Sequence, residues 1–191
     1  MTTLPLFRGL LLAAAFPAFC AAADGVPVKD QVALISEAKA RHETGIARKT
    51  REVDARPALA GEIIITTIKG EGVETRSKPA ENGDWVVRNR CPETGNEEIL
   101  VKAAKFPQRY GEPLSQPDEK GYRTFKPLGG DMTYFIVSDK IGAFNFTAPW
   151  GETMVAKPGD AIVQVPSDEK DTYRIAASSF KCTYEITTPA K

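Results

Sequence analysis

Asp84 and Asp160 stand in matching settings, each after a glycine (Gly83, Gly159) and ahead of an apolar run, Trp85-Val86-Val87 and Ala161-Ile162-Val163. Two carboxylates can divide acid and base work when burial or mutual repulsion drives their pKa values apart, so a small hydrolase is one reading of the pair. The competing reading is structural, because an aspartate after a turn glycine accepts hydrogen bonds from nearby backbone N–H groups and starts the following strand. Recurrence favours the structural role, since a duplicated fold duplicates its turns. Gly83, Asp84, Gly159 and Asp160 are therefore expected to build turns, and no catalytic residue is expected.

Other reactive types are scarce. His42 is the single histidine, and nothing near it supplies a second imidazole or a thiol at metal-ligand spacing. Neither a metal site nor a His-based nucleophile arrangement is expected, and no cofactor. Gly70-Glu71-Gly72 and Gly129-Gly130-Asp131 lack the Lys and Ser/Thr of a phosphate-binding loop and read as turns. Tyr134, Phe144, Phe146 and Trp150 cluster in the second half without first-half counterparts of like size. With Trp85 they form the candidate ligand-binding surface, against the alternative that they fill a core.

The chain of 191 residues is 42% hydrophobic and 26% charged, the balance of a globular protein. Its 25 Lys and Arg against 25 Asp and Glu leave no bulk field to draw in nucleic acid or an anionic membrane. Met1 to Ala23 carries Arg8, the apolar run Gly9 to Phe16, and Ala21-Ala22-Ala23 before Asp24, the pattern of a cleaved export leader and too short a run for a membrane span. A periplasmic or secreted protein with no membrane span after cleavage is expected. Cleavage leaves Cys91 and Cys182, which either pair in an oxidising compartment or stay as two separate buried thiols. Pairing would close a loop of about ninety residues and stabilise by roughly 4 kcal/mol on the loop-entropy model.

Asp30 to Lys49 has helical apolar spacing at Val32, Leu34, Ile35, Ala38 and Ile46, with Gly45 weakening its later turns. Arg48 to Pro57 reads as a basic, solvated connector. Ile63 to Ile68 is a β-branched strand that Val73 to Arg76 can pair with across a glycine turn. Trp85 to Val87 and Glu98 to Val101 form a hairpin, and a helical turn would place Phe106 and Tyr110 on one face. The second half repeats this order: Tyr173 to Ala176 answers Ile99 to Lys102, and Phe180 and Tyr184 answer Phe106 and Tyr110. Upstream, Met132 to Val137 is matched to Ile63 to Ile68, with Phe144 to Thr147 as its hairpin partner. The expected organisation is a leader (1–23), an N-terminal helix and connector (24–57), a first β-rich module (58–111), a linker (112–121) and a second β-rich module (122–191).

Pro158-Gly159-Asp160-Ala161-Ile162, ending in Phe180, Tyr184 and Glu185, resembles the small bacterial PGDYG protein family. It is also similar to short phage-encoded proteins with a Gly-Asp-Trp strand and a Phe-x-x-x-Tyr-Glu ending. Ala161 replaces the family's aromatic residue, whereas the first copy keeps Trp85 but has Asn82 in place of the proline. The resemblance implies a shape rather than an activity. The expected fold class is α+β, mainly β: two related small strand-rich modules packed as one pseudo-symmetric body with an N-terminal helix. The expected function is non-catalytic, binding a protein or small-molecule ligand. The alternatives are the hydrolase above and an inhibitor of a secreted or periplasmic enzyme.

Overall fold

The computed structural model describes residues 25–191, and the expected leader lies outside the described residues. In chain order the elements are α1 (Ala33–Ala40), β1 (Gly45–Lys49), β2 (Val53–Pro57), the hairpin of β3 (Ile65–Ile68) and β4 (Gly72–Arg76), β5 (Trp85–Asn89), β6 (Glu98–Val101), α2 (Phe106–Arg109) and β7 (Tyr110–Pro113). There follow β8 (Arg123–Pro127), β9 (Asp131–Ile136), the hairpin of β10 (Phe144–Thr147) and β11 (Thr153–Ala156), β12 (Ala161–Val165), β13 (Asp168–Ile175), α3 (Ala177–Thr183) and β14 (Tyr184–Thr188). The chain is mainly β, as expected.

Two five-stranded sheets carry the fold, in the orders β6-β5-β2-β8-β7 and β13-β12-β9-β1-β14. Replacing each strand of the first sheet by its counterpart seven strands away in the chain gives the second. Each sheet thus takes four strands from one half of the chain and one from the other. β1 lies between β9 and β14, and β8 lies between β2 and β7, with antiparallel pairing throughout. Neither sheet is complete until both halves are present.

Strand alternation buries one face of each sheet against its own small core. In the first sheet Val53, Ala55, Val87, Val101 and Phe125 pack with Phe106 and Tyr110. In the second, Ala47, Met132, Tyr134, Ala161 and Val163 pack with Phe180. The second sheet's other face is also covered, because Leu34, Ile35 and Ala38 of α1 and the β10–β11 hairpin close over Phe135, Val137 and Ile162.

Four expectations are corrected here. The helix expected to reach Lys49 stops at Ala40: His42 takes a positive φ of 59° and the chain re-enters as β1 at Gly45. A Cβ at Gly45 would collide with the Thr188 carbonyl and the Ala190 nitrogen, so this glycine lets β1 and the C-terminal segment approach closely rather than weakening a helix. The basic connector is instead β1 and β2, whose charges hid an alternation in which Ala47, Val53 and Ala55 are fully buried. The expected match of Met132 to Val137 with Ile63 to Ile68 does not follow their places in the sheets: β9 lies centrally in its sheet, as β2 does in the other, whereas β3 pairs with β4 alone among the described strands, as β10 does with β11. The segment 112–121, expected as a linker, begins in β7 and leads into β8, which pairs with β7, so it closes a turn within the first sheet.

Candidate functional site: a cleft at the joint of the two halves

Each Gly-Asp turn is built alike. Gly83 and Gly159 take φ of 89° and 93°, which turns the chain into β5 and β12. Asp84 Oδ2 accepts from the Glu81 N–H (2.9 Å) and the Lys102 ammonium (2.9 Å), and Oδ1 from the Ala103 N–H (3.0 Å). Asp160 Oδ2 accepts from the Lys157 N–H (2.8 Å) and Arg174 Nε (2.7 Å), and Oδ1 from the Ala177 N–H (3.1 Å). Burial opposes ionisation of Asp84, but the two amides and Lys102 together hold its pKa below the ordinary value. Both aspartates tie the strand start to the segment entering the next helix. Their hydrogen-bonding groups are separate, and no hydrogen bond joins the two carboxylates.

The five aromatic candidates do not form one surface. Trp85 stacks on Phe106 at 4.1 Å and meets Phe125 edge-on, facing the first core. Tyr134 is buried against Phe180, with its hydroxyl accepting from the Ala190 N–H at 3.2 Å. Phe144 and Phe146 are fully buried under α1. Trp150 is 39% exposed; its ring lies 6.0 Å from Tyr173 and its Nε1 donates to Glu152. The five do not share one face: Tyr134, Phe144 and Phe146 are buried because both faces of the second sheet are covered, and Trp85 is half-buried against the first core.

His42 sits exposed in the turn after α1. The sulfurs of Cys91 and Cys182 lie at disulfide distance with Cα atoms 6.1 Å apart, joining the β5–β6 loop to α3. Glu93 lies within 3.4 and 3.5 Å of the two sulfurs. These three are the group among the described residues close enough to hold a metal. Sulfurs bonded to each other offer no thiolate, so the set does not suit one.

The polar groups that composition did not single out gather where the halves meet. Lys105 Nζ, from the N-cap of α2, and Arg109 Nη2, from its last residue, donate to the buried Asp171 of β13 at 3.0 and 3.1 Å. In the reverse direction, Ser179 of α3 donates to the buried Glu97 beside β6 at 2.7 Å. Burial is the largest influence on Glu97, yet Thr94, Ser179 and Asn89 outweigh it and keep the carboxyl below its ordinary pKa. The Asn89 amide links Glu97 to Lys49, accepting from the ammonium at 2.7 Å, and burial lowers the Lys49 pKa to about 8. Arg174 joins Asp160 to Glu71 and Glu74 of the first-half hairpin. Lys105 and Arg109, at i, i+4 spacing and each directly ahead of one of the aromatics Phe106 and Tyr110, were the visible trace of this joint.

Beside Lys105 a cleft of about 680 Å³ opens between the N-terminal segment 29–32, the 147–151 turn and the start of β13. That volume is in the range of small-ligand sites, and the cleft takes residues from both halves. Among the described residues no helix is long and apolar enough to cross a membrane. No family model, curated protein or solved structure compared with the chain matches it.

Proposed function

We propose that this is an exported, non-catalytic binding protein whose ligand enters the cleft at the joint of the halves. The observation that carries the reading is an open cleft lined by residues other than Asp84 and Asp160, whose own oxygens are taken up in turns. Asp84 and Asp160 have both oxygens occupied by backbone amides and a cation, as a turn device requires. A general base must instead present a free lone pair to the reacting proton. The hydrolase alternative is weaker on that ground.

The proposal includes two related modules in a pseudo-symmetric body. Support comes from the matched strand orders, the matched aspartate contacts and the reciprocal pairs Lys105–Asp171 and Ser179–Glu97. The PGDYG-like turn fits that shape and brings no reaction with it. Export to the periplasm or medium is supported by the leader pattern and by a cysteine pair at disulfide distance.

The test is to assay the mature protein against ester, phosphoester, glycoside and peptide substrates, alongside Asp84→Asn and Asp160→Asn. The expected outcome is no turnover that depends on either aspartate, together with lowered stability of both variants. A variant that stays folded yet abolishes a measurable hydrolysis would overturn the reading in favour of the hydrolase.

A further inference from the structure

The cleft is lined by three lysines, Lys29, Lys105 and Lys170, and three aspartates, Asp30, Asp168 and Asp171. Formal balance hides a difference in availability. Asp171 accepts from both Lys105 and Arg109, and Asp168 accepts from Lys105 at 3.4 Å and from the Lys170 N–H at 3.2 Å. Asp30 accepts the Val32 N–H at 3.1 Å. Lys105 is likewise occupied, and its bond to Asp171 raises its pKa. Lys29 and Lys170, by contrast, have no carboxylate within ion-pair distance among the described residues. The Lys29 ammonium sits 5.3 Å from the centre of the Phe144 ring on a half-buried side chain, so packing holds it at the cleft wall. The same cleft wall includes the nonpolar Val32, Ala148 and Pro149, with the exposed Trp150 next in sequence.

We infer that the cleft takes a monoanionic organic ligand whose carboxylate is held by Lys29 and Lys170 and whose nonpolar part lies along Val32, Ala148 and Pro149. The inference rests on the binding reading above and names its ligand class. A single negative charge fits better than two because three aspartates share the cleft, and each added charge meets their repulsion. A carboxylate also accepts from two separate ammonium donors, forming the stronger charge-assisted class of hydrogen bond. A ligand cation would find Asp168 and Asp171 already paired with Lys105, leaving Asp30 as the one lining carboxylate without an ion-pair partner among the described residues.

The experiment is an amide-resonance titration of the mature protein with an N-acetylated Leu-Ala dipeptide, its C-terminal amide, a cationic dipeptide ester and inorganic phosphate. The free-acid dipeptide is expected to shift residues 29–32, 147–151 and 168–171 and to bind about ten-fold or more tightly than its amide. Lys29→Gln and Lys170→Gln should each weaken that binding about ten-fold, and added salt should weaken it further. Lys170 is exposed, so its variant keeps the fold even where Lys29→Gln loosens the N-terminal segment. Equal binding of acid and amide, tighter binding of phosphate, or indifference to both lysine substitutions would overturn the ligand class. If the amide or the cationic ester shifts the cleft instead, the class falls while the binding reading stands. If none of the four probes shifts it, both fall.

Discussion

The faces of the two sheets that point away from their inner cores share a register and differ in chemistry. In the second sheet Phe135 lies opposite Ile162 and Thr133 opposite Gln164. In the first, Arg56 lies opposite Val86 and Asp54 opposite Arg88. Helix α1 and the β10–β11 hairpin cover the second face and make it a core. On the first face Arg88 and Arg90 pair with Asp54 at 3.0 and 2.6 Å, Arg56 pairs with Glu62 at 2.5 Å, and Tyr122 lies under Arg88 at 4.2 Å. One strand order therefore supports either a buried apolar layer or a charged lattice, and the choice depends on whether a helix is supplied. The same difference separates stability from solubility: apolar burial stabilises in proportion to area, whereas part-exposed ion pairs contribute little.

Substitution can break that comparison at its strongest point. Phe135→Ala should destabilise by about 3–5 kcal/mol in denaturant unfolding, since it empties a layer closed on both sides. A loss below about 1 kcal/mol would mean that α1 does not seal that face. Asp160→Asn should cost about 3 kcal/mol and Asp84→Asn about half as much. Both lose amide contacts, but Asp160 leaves the buried Arg174 short of a partner, while Lys102 remains in water. Equal losses would show that only the turn matters.

Proton linkage offers a finer probe of the same region. Burial, with Glu97, Asp160 and Glu71 nearby, raises the Glu74 pKa from its ordinary 4.5 to about 7 in spite of Arg174. The folded state then keeps a proton that the unfolded chain releases, so Glu74's contribution is full below about pH 4.5 and is lost as pH rises through about 7. Between pH 5 and 8, Glu74→Gln should therefore gain stability relative to the parent, read as a pH-dependent difference in unfolding midpoint. A difference that stays flat would contradict the raised pKa. The smallest effect belongs to the charged lattice: Arg88→Ala should cost under about 1 kcal/mol.

How far the sequence revealed this molecule depended on the length scale of each feature. Local signals were readable: the β3–β4 and β5–β6 hairpins, the Phe106 and Tyr110 helical turn, and the aspartate turns all form as expected. β1 and β2 were missed because Arg48, Lys49, Asp54 and Arg56 mask the burial of Ala47, Val53 and Ala55. Placing β1 in the sheet of the second half involves pairings across more than eighty positions, and no local pattern encodes those. The aromatic residues were visible as a cluster, yet which way each ring pointed depended on the strand pairings. The cleft was illegible for a similar reason, since Lys29, Lys105 and Lys170 converge only after the halves meet.

The central claim is that the joint cleft binds and that no reaction occurs there. Its most direct test is an amide-resonance comparison of the mature protein before and after exposure to a low-molecular-mass periplasmic extract, with recovery and mass analysis of whatever stays bound. The account predicts shifts concentrated at residues 29–32, 105, 147–151 and 168–171, and a ligand recovered chemically unchanged. Shifts centred on Asp84 and Asp160, or recovery of a cleaved product, would contradict it.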